Sequence, residues 1–508
     1  MAQKRHACAF ENPQGLPRGS VGFEAQAMQD GQEEGLQLGH RSDSKHGGQA
    51  SPAPKMVRRV FYLSAALILA LSPASAKTHE GQAPTELYSD NVGARIWRTA
   101  LHHTPTIGDS TGWPEYTWSN FSTPKQPSSA AGTYINFNPS TWTSGFFPSS
   151  LWALYQRMTD SRMKDVLARA QAWSRGLAPN VNLTNTHDIA MPFEYDLTMG
   201  SNSSELPVVS KMSMNLASRF VPAPGVIRSW DKKGSHNDSV LVIIDNMMNL
   251  GLLVRSALTY TKNETLLQMA ISHANKTMEN HVRPDGSSFH VVDYSATTGQ
   301  VYDRVTAQGL ANNSTWSRGQ AWGIYGFAMM YNYTRFPAYL ETSRRMADYY
   351  LTHLPADGVP YWDFDAPNEP NVTPRDTSSA MIASSGLLLL STLQSTPVPN
   401  NYSDAALKLL SNTINMALAD PIGWPDAQYP ATGINTDPNV DPKTNTTRGF
   451  EAILQHATID NTPLIPASSR NWDTGLVYGD YYMLEAGNRA AELGLASCSG
   501  PRNHAKRT

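Results

Sequence analysis

The chain has 508 residues, 40% of them hydrophobic, and a formal net charge of −3. That is enough apolar material for one large domain or two ordinary ones. With no basic stripe and no excess of Lys and Arg, nucleic acid is excluded as an expected partner.

Residues 1–55 are rich in Gly, Gln, Ser and Lys and carry neither a helical nor a strand period. Met56–Ala76, MVRRVFYLSAALILALSPASA, has the layout of a secretory signal. Arg58 and Arg59 form its charged start, Val60–Leu71 an apolar run too short to span a bilayer comfortably, and Ala74-Ser75-Ala76 a small-residue cleavage site. We expect translation to start at Met56, with 1–55 an upstream extension, and a secreted chain to run from Lys77 to Thr508 as one catalytic domain with no membrane attachment. A type II membrane anchor is the alternative, and the short apolar run argues against it. Twelve Asn-x-Ser/Thr acceptors between Asn120 and Asn445 agree with passage through a secretory pathway. The two cysteines are Cys8 and Cys498, so a chain starting at Met56 holds one thiol and must be held together by its core.

From about Glu86 onward the apolar period predicts helices near 88–104, 145–159, 162–177, 206–220, 240–261, 264–281, 317–335, 338–354, 376–395, 402–418, 448–458 and 476–494. Many fall in pairs whose first member is apolar nearly all round and whose second is amphipathic. LVIIDNMMNLGLLV shows no polar face, whereas ETLLQMAISHANKTM puts Leu267, Ala270, Ile271 and Ala274 on one side. An all-round apolar helix is buried and an amphipathic one faces water. Six such pairs predict an all-α fold with two concentric rings, an (α/α)6 barrel, with an open helical solenoid as the alternative. SSFHVVDYSATTGQVYDRV alternates on both sides of Thr297-Thr298-Gly299 and predicts a β-hairpin.

Several polar residues sit where an apolar run would not place them. Asp245 lies inside the apolar stretch 239–260, read as one long helix, and Asp188 lies in HDIAMPFEY beside His187. Trp230, His290, and Arg318 between Trp316 and Trp322 complete a set of acids, an imidazole, a guanidinium and indoles spread over five segments. In a barrel of helix pairs these segments converge on one cavity. A carboxyl of raised pKa, a second carboxylate and flat apolar surfaces suit acid–base chemistry on a sugar. No His-x-x-x-His, His-Glu-x-x-His, Cys-x-x-Cys or Gly-x-Ser-x-Gly pattern occurs, nor a phosphate-cradling Gly-rich loop, so neither a metal nor a nucleotide or other cofactor is expected.

The segments WTSGFFPSSLW (142–152), HDIAMPFEY (187–195), IDNMMNLGLL (244–253), RPDGSSFHVVDY (283–294), QGLANNSTWSRGQAWGIYGF (308–327), VPYWDFDAP (359–367), RDTSSAMIASSGLLLL (375–390) and GLVYGDYYMLEA (475–486) resemble the unsaturated glucuronyl hydrolases of glycoside hydrolase family 88. They span most of 90–490 in the family's order. The resemblance implies an (α/α)6 barrel and an unusual reaction, hydration of the C4=C5 double bond that polysaccharide lyases leave on a non-reducing-end uronic acid. It implies Asp245 as general acid/base, Asp188 as the second essential carboxylate, Trp142, Trp230 and Trp322 as indoles lining the sugar site, and His187, His290, Gln308 and Arg318 as polar substrate contacts. Arg318 is the expected fork for the uronate carboxylate, with a salt bridge to Asp293 or another acid as the alternative. Asp363, Asp365, Arg375 and Asp376 are read as structural. Ser149 stands where the family usually has Gly, which bears on substrate preference, and the family tends to be bacterial and intracellular. The partner so implied is an unsaturated oligosaccharide, met by a monomer. An inverting glycosidase on the same barrel and an inactive saccharide binder are the competing readings.

Overall fold

The computed structural model describes residues 81–103, 112–119, 132–188, 191–231, 234–370, 372–422 and 450–496. The signal-like segment 56–76 and both cysteines lie outside the described residues. Twelve α-helices are described: α1 (Asp90–His102), α2 (Phe146–Arg157), α3 (Met163–Gly176), α4 (Met191–Thr198), α5 (Leu206–Ala217), α6 (Leu250–Arg255), α7 (Glu264–Asn280), α8 (Ser317–Thr334), α9 (Pro337–Thr352), α10 (Thr377–Thr392), α11 (Asn401–Ala417) and α12 (Val477–Glu492). Nine short strands join them: β1 (Trp113–Thr117), β2 (Tyr134–Phe137), β3 (Phe220–Val221), β4 (Val226–Ile227), β5 (Ser239–Ile243), β6 (Val291–Ser295), β7 (Val301–Val305), β8 (Ala457–Asp460) and β9 (Asn471–Thr474).

The even-numbered helices form the inner ring. α8 is buried without a break from Ser317 to Met330, and α10 from Thr377 to Leu388. The odd-numbered helices bury one stripe each, as α11 does through Ala406, Leu410, Thr413 and Ala417. Around the ring α4 packs on α2, α2 on α12, α12 on α10, α10 on α8 and α8 on α6. The circle closes between α4 and α6, where the guanidinium of Arg255 donates to both carboxylate oxygens of Glu194 at 2.5 and 2.6 Å. This is the expected (α/α)6 barrel, closed rather than an open solenoid.

Three local expectations are corrected. Ser239–Tyr260 is not one helix: Ser239–Ile243 is a strand, Ile244–Met248 a 3-10 turn, and only from Leu250 is the segment α-helical. β5 pairs antiparallel with β6, Ile243 opposite Val291 and Ser239 opposite Ser295. Val240 and Val242 pack on one face of this sheet with Val226, Val292 and Tyr294, while Leu241 and Ile243 pack on the other with Val291 and Trp230. A strand buried on both faces is a continuous apolar run, which periodicity alone does not separate from a buried helix. The hairpin β6–β7 is present as expected and gains β5 as a third strand. In the expected helix 448–458, the described residues 450–456 are not helical, and Ala457 and Thr458 begin β8. α4 was not anticipated from the sequence.

Glycines on α8 let the Asp245 segment come close. A Cβ at Gly326 would stand 2.4 Å from the Met247 Cβ, and one at Gly319 3.1 Å from Ile244 Cγ2. The turn Ile244–Met248 therefore lies directly against α8, which carries Arg318 near its start.

Candidate active site

All six inner helices begin at the same end of the barrel as the predicted site residues. Trp142 lies just before α2, Asp188 before α4, Asp245 before α6 and Asp376 before α10, while Arg318 and Tyr478 are the second residues of α8 and α12. The positive ends of the longer helix dipoles gather there, a setting that favours an anionic ligand.

Asp245 sits in the first turn after β5. Its Oδ1 is buried and has no hydrogen-bond partner. Burial pushes its carboxyl up to about 7, with Asp188 adding to the rise and His187 and Arg318 opposing it. Desolvation dominates because the charged form loses water and gains no donor at Oδ1. Asp188 is bonded at both of its carboxylate oxygens. Its Oδ2 lies 3.2 Å from His187 Nε2, the Thr186 hydroxyl donates to it at 3.3 Å, and Asn249 Nδ2 donates to Oδ1 at 3.4 Å. Asn249 is four residues after Asp245, so one short helical segment carries the acid and holds its partner carboxylate. That residue was missed from the sequence, although its spacing within IDNMMN was visible.

His187 is buried, and its Nδ1 has no partner. His290 is buried as well. Its Nδ1 accepts from the Ala307 N–H at 3.2 Å, so the proton of the neutral ring is on Nε2, which is buried and unpaired. Desolvation, with help from Arg318 and His281, lowers this imidazole to about 3. It therefore stays neutral at working pH. The ring lies on Trp316, centroids 4.2 Å apart. Trp322 packs edge-on against Tyr482, and its Nε1 is also buried without a partner. Trp142 is half-buried against Tyr478 and Phe146, and Trp230 is half-buried in a bridge to Thr186.

Arg318 departs from the expected free fork. It is 1% exposed, and its Nη1 donates at 2.5 Å to Asp376 Oδ2 and to the Thr458 carbonyl, while Nη2 donates to the Ile459 carbonyl at 2.8 Å. The partner acid is Asp376 rather than Asp293, whose Oδ2 accepts from Ser235 and Ser239. Asp376 also caps α10 by accepting from the N–H groups of Ser378 and Ser379. The guanidinium lies over the Trp316 ring at 4.4 Å and acts on Asp245 through its charge. Gln308 is anchored similarly, its Nε2 donating to the Ile459 carbonyl at 2.8 Å. Both side chains thus fasten β8 to the site. Trp316 and Tyr478, between which Arg318 is stacked, were not among the predicted site residues. The signal for Trp316 was its place in WSRGQAW.

A barrel mouth with two carboxyl groups in unlike settings, unpaired buried donors and several indoles defines a glycoside hydrolase of the (α/α)6 class. No protein-family model matches the chain. An unsaturated glucuronyl hydrolase of Formosa agariphila is 35% identical over 367 residues, which cover 69% of this chain and 80% of the relative. An unsaturated glucuronyl hydrolase of a Bacillus species is 33% identical over 287 residues, 55% of this chain and 75% of the relative. The crystal structure of an unsaturated glucuronyl hydrolase specific for heparin superposes with a TM-score of 0.65 at 31% identity, covering 80% of this chain and 97% of that one. The chain belongs to the unsaturated glucuronyl hydrolases, glycoside hydrolase family 88.

Proposed function

We propose that the enzyme releases a non-reducing-end 4,5-unsaturated glucuronic acid from lyase-generated oligosaccharides by hydrating the C4=C5 bond. The observation that carries this reading is Asp245, a carboxyl raised to about 7 whose Oδ1 is buried and unpaired beside a second carboxylate. Protonating an enol-ether carbon needs an acid that still holds its proton near neutral pH. Asp245 gives its proton to C4. Positive charge develops at C5 and the ring oxygen, and water adds at C5 while Asp245 takes a proton back from it. The resulting hemiketal opens, the glycosidic bond breaks, and a linear keto-uronic acid leaves the shortened saccharide. Asp188 opposes a second negative charge close to Asp245 and can accept from substrate hydroxyls.

The double bond is its own probe. A lyase-generated unsaturated disaccharide incubated with the enzyme is expected to lose the ultraviolet absorbance of the conjugated enol acid. Constant absorbance across heparin-, chondroitin- and gellan-derived disaccharides would overturn the hydration reading. The acid must be protonated to start the reaction and loses its proton as pH rises through about 7. We therefore expect kcat/KM to fall on the alkaline side with an apparent pKa near 7 and to hold level just below it. A profile flat from pH 6 to about 9 would show that Asp245 is not the proton donor.

Secretion is proposed on the charged start, short apolar run and Ala-Ser-Ala end of 56–76. Expression of the whole chain in a eukaryotic host should then yield enzyme in the medium whose first residue is Lys77. Recovery only inside the cells, with 56–76 intact, would contradict it.

A further inference from the structure

We propose that His102, His103 and Glu451 form a divalent-cation site of zinc-like preference, away from the catalytic carboxylates, that clips the end of α1 to the segment leading into β8. His102 Nδ1 lies 2.8 Å from Glu451 Oε1, and His103 Nε2 lies 3.1 Å from Glu451 Oε2. Two imidazoles and a carboxylate are a ligand set that suits zinc, and the fourth position falls to water. The three ligand atoms lie within 4.8 Å of one another, and with bonds of about 2.1 Å neighbouring ligand atoms around a tetrahedral ion are about 3.4 Å apart, so small side-chain adjustments suffice to admit it. The Glu451 side chain is 8% exposed, whereas that of His102 is 26% exposed, which leaves a way in for ion and water.

The surroundings of His103 point the same way. Asn136 Nδ2 lies 2.8 Å from His103 Nδ1, and in this orientation the Asn136 Oδ1 is buried with no partner. Turned about, the amide lets Oδ1 accept from an Nδ1–H, the usual outer partner of a metal-bound imidazole. His103 Nε2 then faces the Glu451 carboxylate either with a second proton or with a lone pair, and in the second case a metal cation between them fits. The ion must compete with Arg95 and Arg98, which line a small cavity on Glu451 together with Thr99. Arg95 is held by the carbonyls of Phe450 and Asp420.

Such a clip would steady the floor of the active site. Two and three residues after Glu451, the N–H groups of Ile453 and Leu454 donate to Asp480 of α12. The segment then enters β8, whose Thr458 and Ile459 carbonyls hold Arg318 and Gln308. No sequence motif marks the site, because two ligands are adjacent and the third is 348 residues from His103.

The test compares the untagged full chain with His102→Ala and Glu451→Gln after chelator treatment. Zinc is returned by equilibrium dialysis, and metal per chain and melting temperature are measured. Wild type should hold one zinc per chain more than either variant, and its melting temperature should rise with zinc where theirs does not. Histidines elsewhere in the chain cancel in this difference. His102→Ala leaves the bonds of Glu451 to His103 and to the Tyr134 N–H in place, so it carries the comparison if Glu451→Gln fails to fold. Equal zinc in wild type and His102→Ala, or a wild-type melting temperature indifferent to zinc and chelator, would overturn the proposal and leave a proton-bridged imidazole–carboxylate pair.

Discussion

Asp245→Asn is expected to fold and to lose turnover by about 10³- to 10⁴-fold, the upper range of a general acid's contribution. The amide keeps the shape of the side chain but has no proton acidic enough to give to C4. The variant also separates catalysis from stability by sign. Asp245 has a folded-state pKa of about 7, above its ordinary 3.8, so the folded protein holds this proton more tightly than the unfolded chain does. The stability this proton lends is therefore full below about pH 4, falls as pH rises towards 7, and is gone above it. At pH 8 the wild type carries that buried charge and the Asn variant does not, so the variant should be at least as stable there in urea unfolding. At pH 5 the difference should shrink. A variant that lost activity together with stability at pH 8 would be failing for packing reasons, and one that kept near-normal turnover would remove Asp245 from the acid role.

The sequence made the Asp245 region legible for the wrong local reason. In the sequence a carboxylate inside an apolar run reads as a charge on a buried helix. It is instead the residue two places beyond a buried strand, at the turn where β5 hands over to α6. The chemical inference holds because burial, not helicity, raises the carboxyl. The barrel was legible because inner helices such as α8 and α10 are apolar all round while their partners are one-sided. α4 was not, since an eight-residue helix shows little period and this one is fixed by distant bonds, Glu194 to Arg255 of α6 and the Tyr195 hydroxyl to that of Tyr481 on α12. Arg318 shows the same limit. WSRGQAW marked it as important, but a single sequence does not reveal whether a guanidinium will find a substrate or an acid 58 residues away.

Arg318→Met should cost about 3–5 kcal/mol of folding stability, the range for breaking one partner out of a buried ion pair. Arg318 and Asp376 are 1% and 0% exposed, so neither water nor a neighbouring cation takes over when the guanidinium is removed. Asp376 Oδ2 loses its 2.5 Å donor, and the Thr458 and Ile459 carbonyls lose theirs. Most of the expected cost is this stranded charge together with the carbonyls. Adding Asp376→Asn to Arg318→Met removes the charge while keeping an oxygen to cap α10, so the double variant should be more stable than Arg318→Met alone. Such recovery is the signature of coupling in a double-mutant cycle. Arg318→Lys should recover little, because one ammonium cannot span Asp376 and both carbonyls as the planar fork does. If Arg318→Met instead unfolded at the wild-type urea midpoint and only raised KM for unsaturated disaccharides, the guanidinium would be a substrate fork after all. The anionic end of the sugar would then be met by a side chain, rather than by the helix ends and unpaired donors gathered around Asp245.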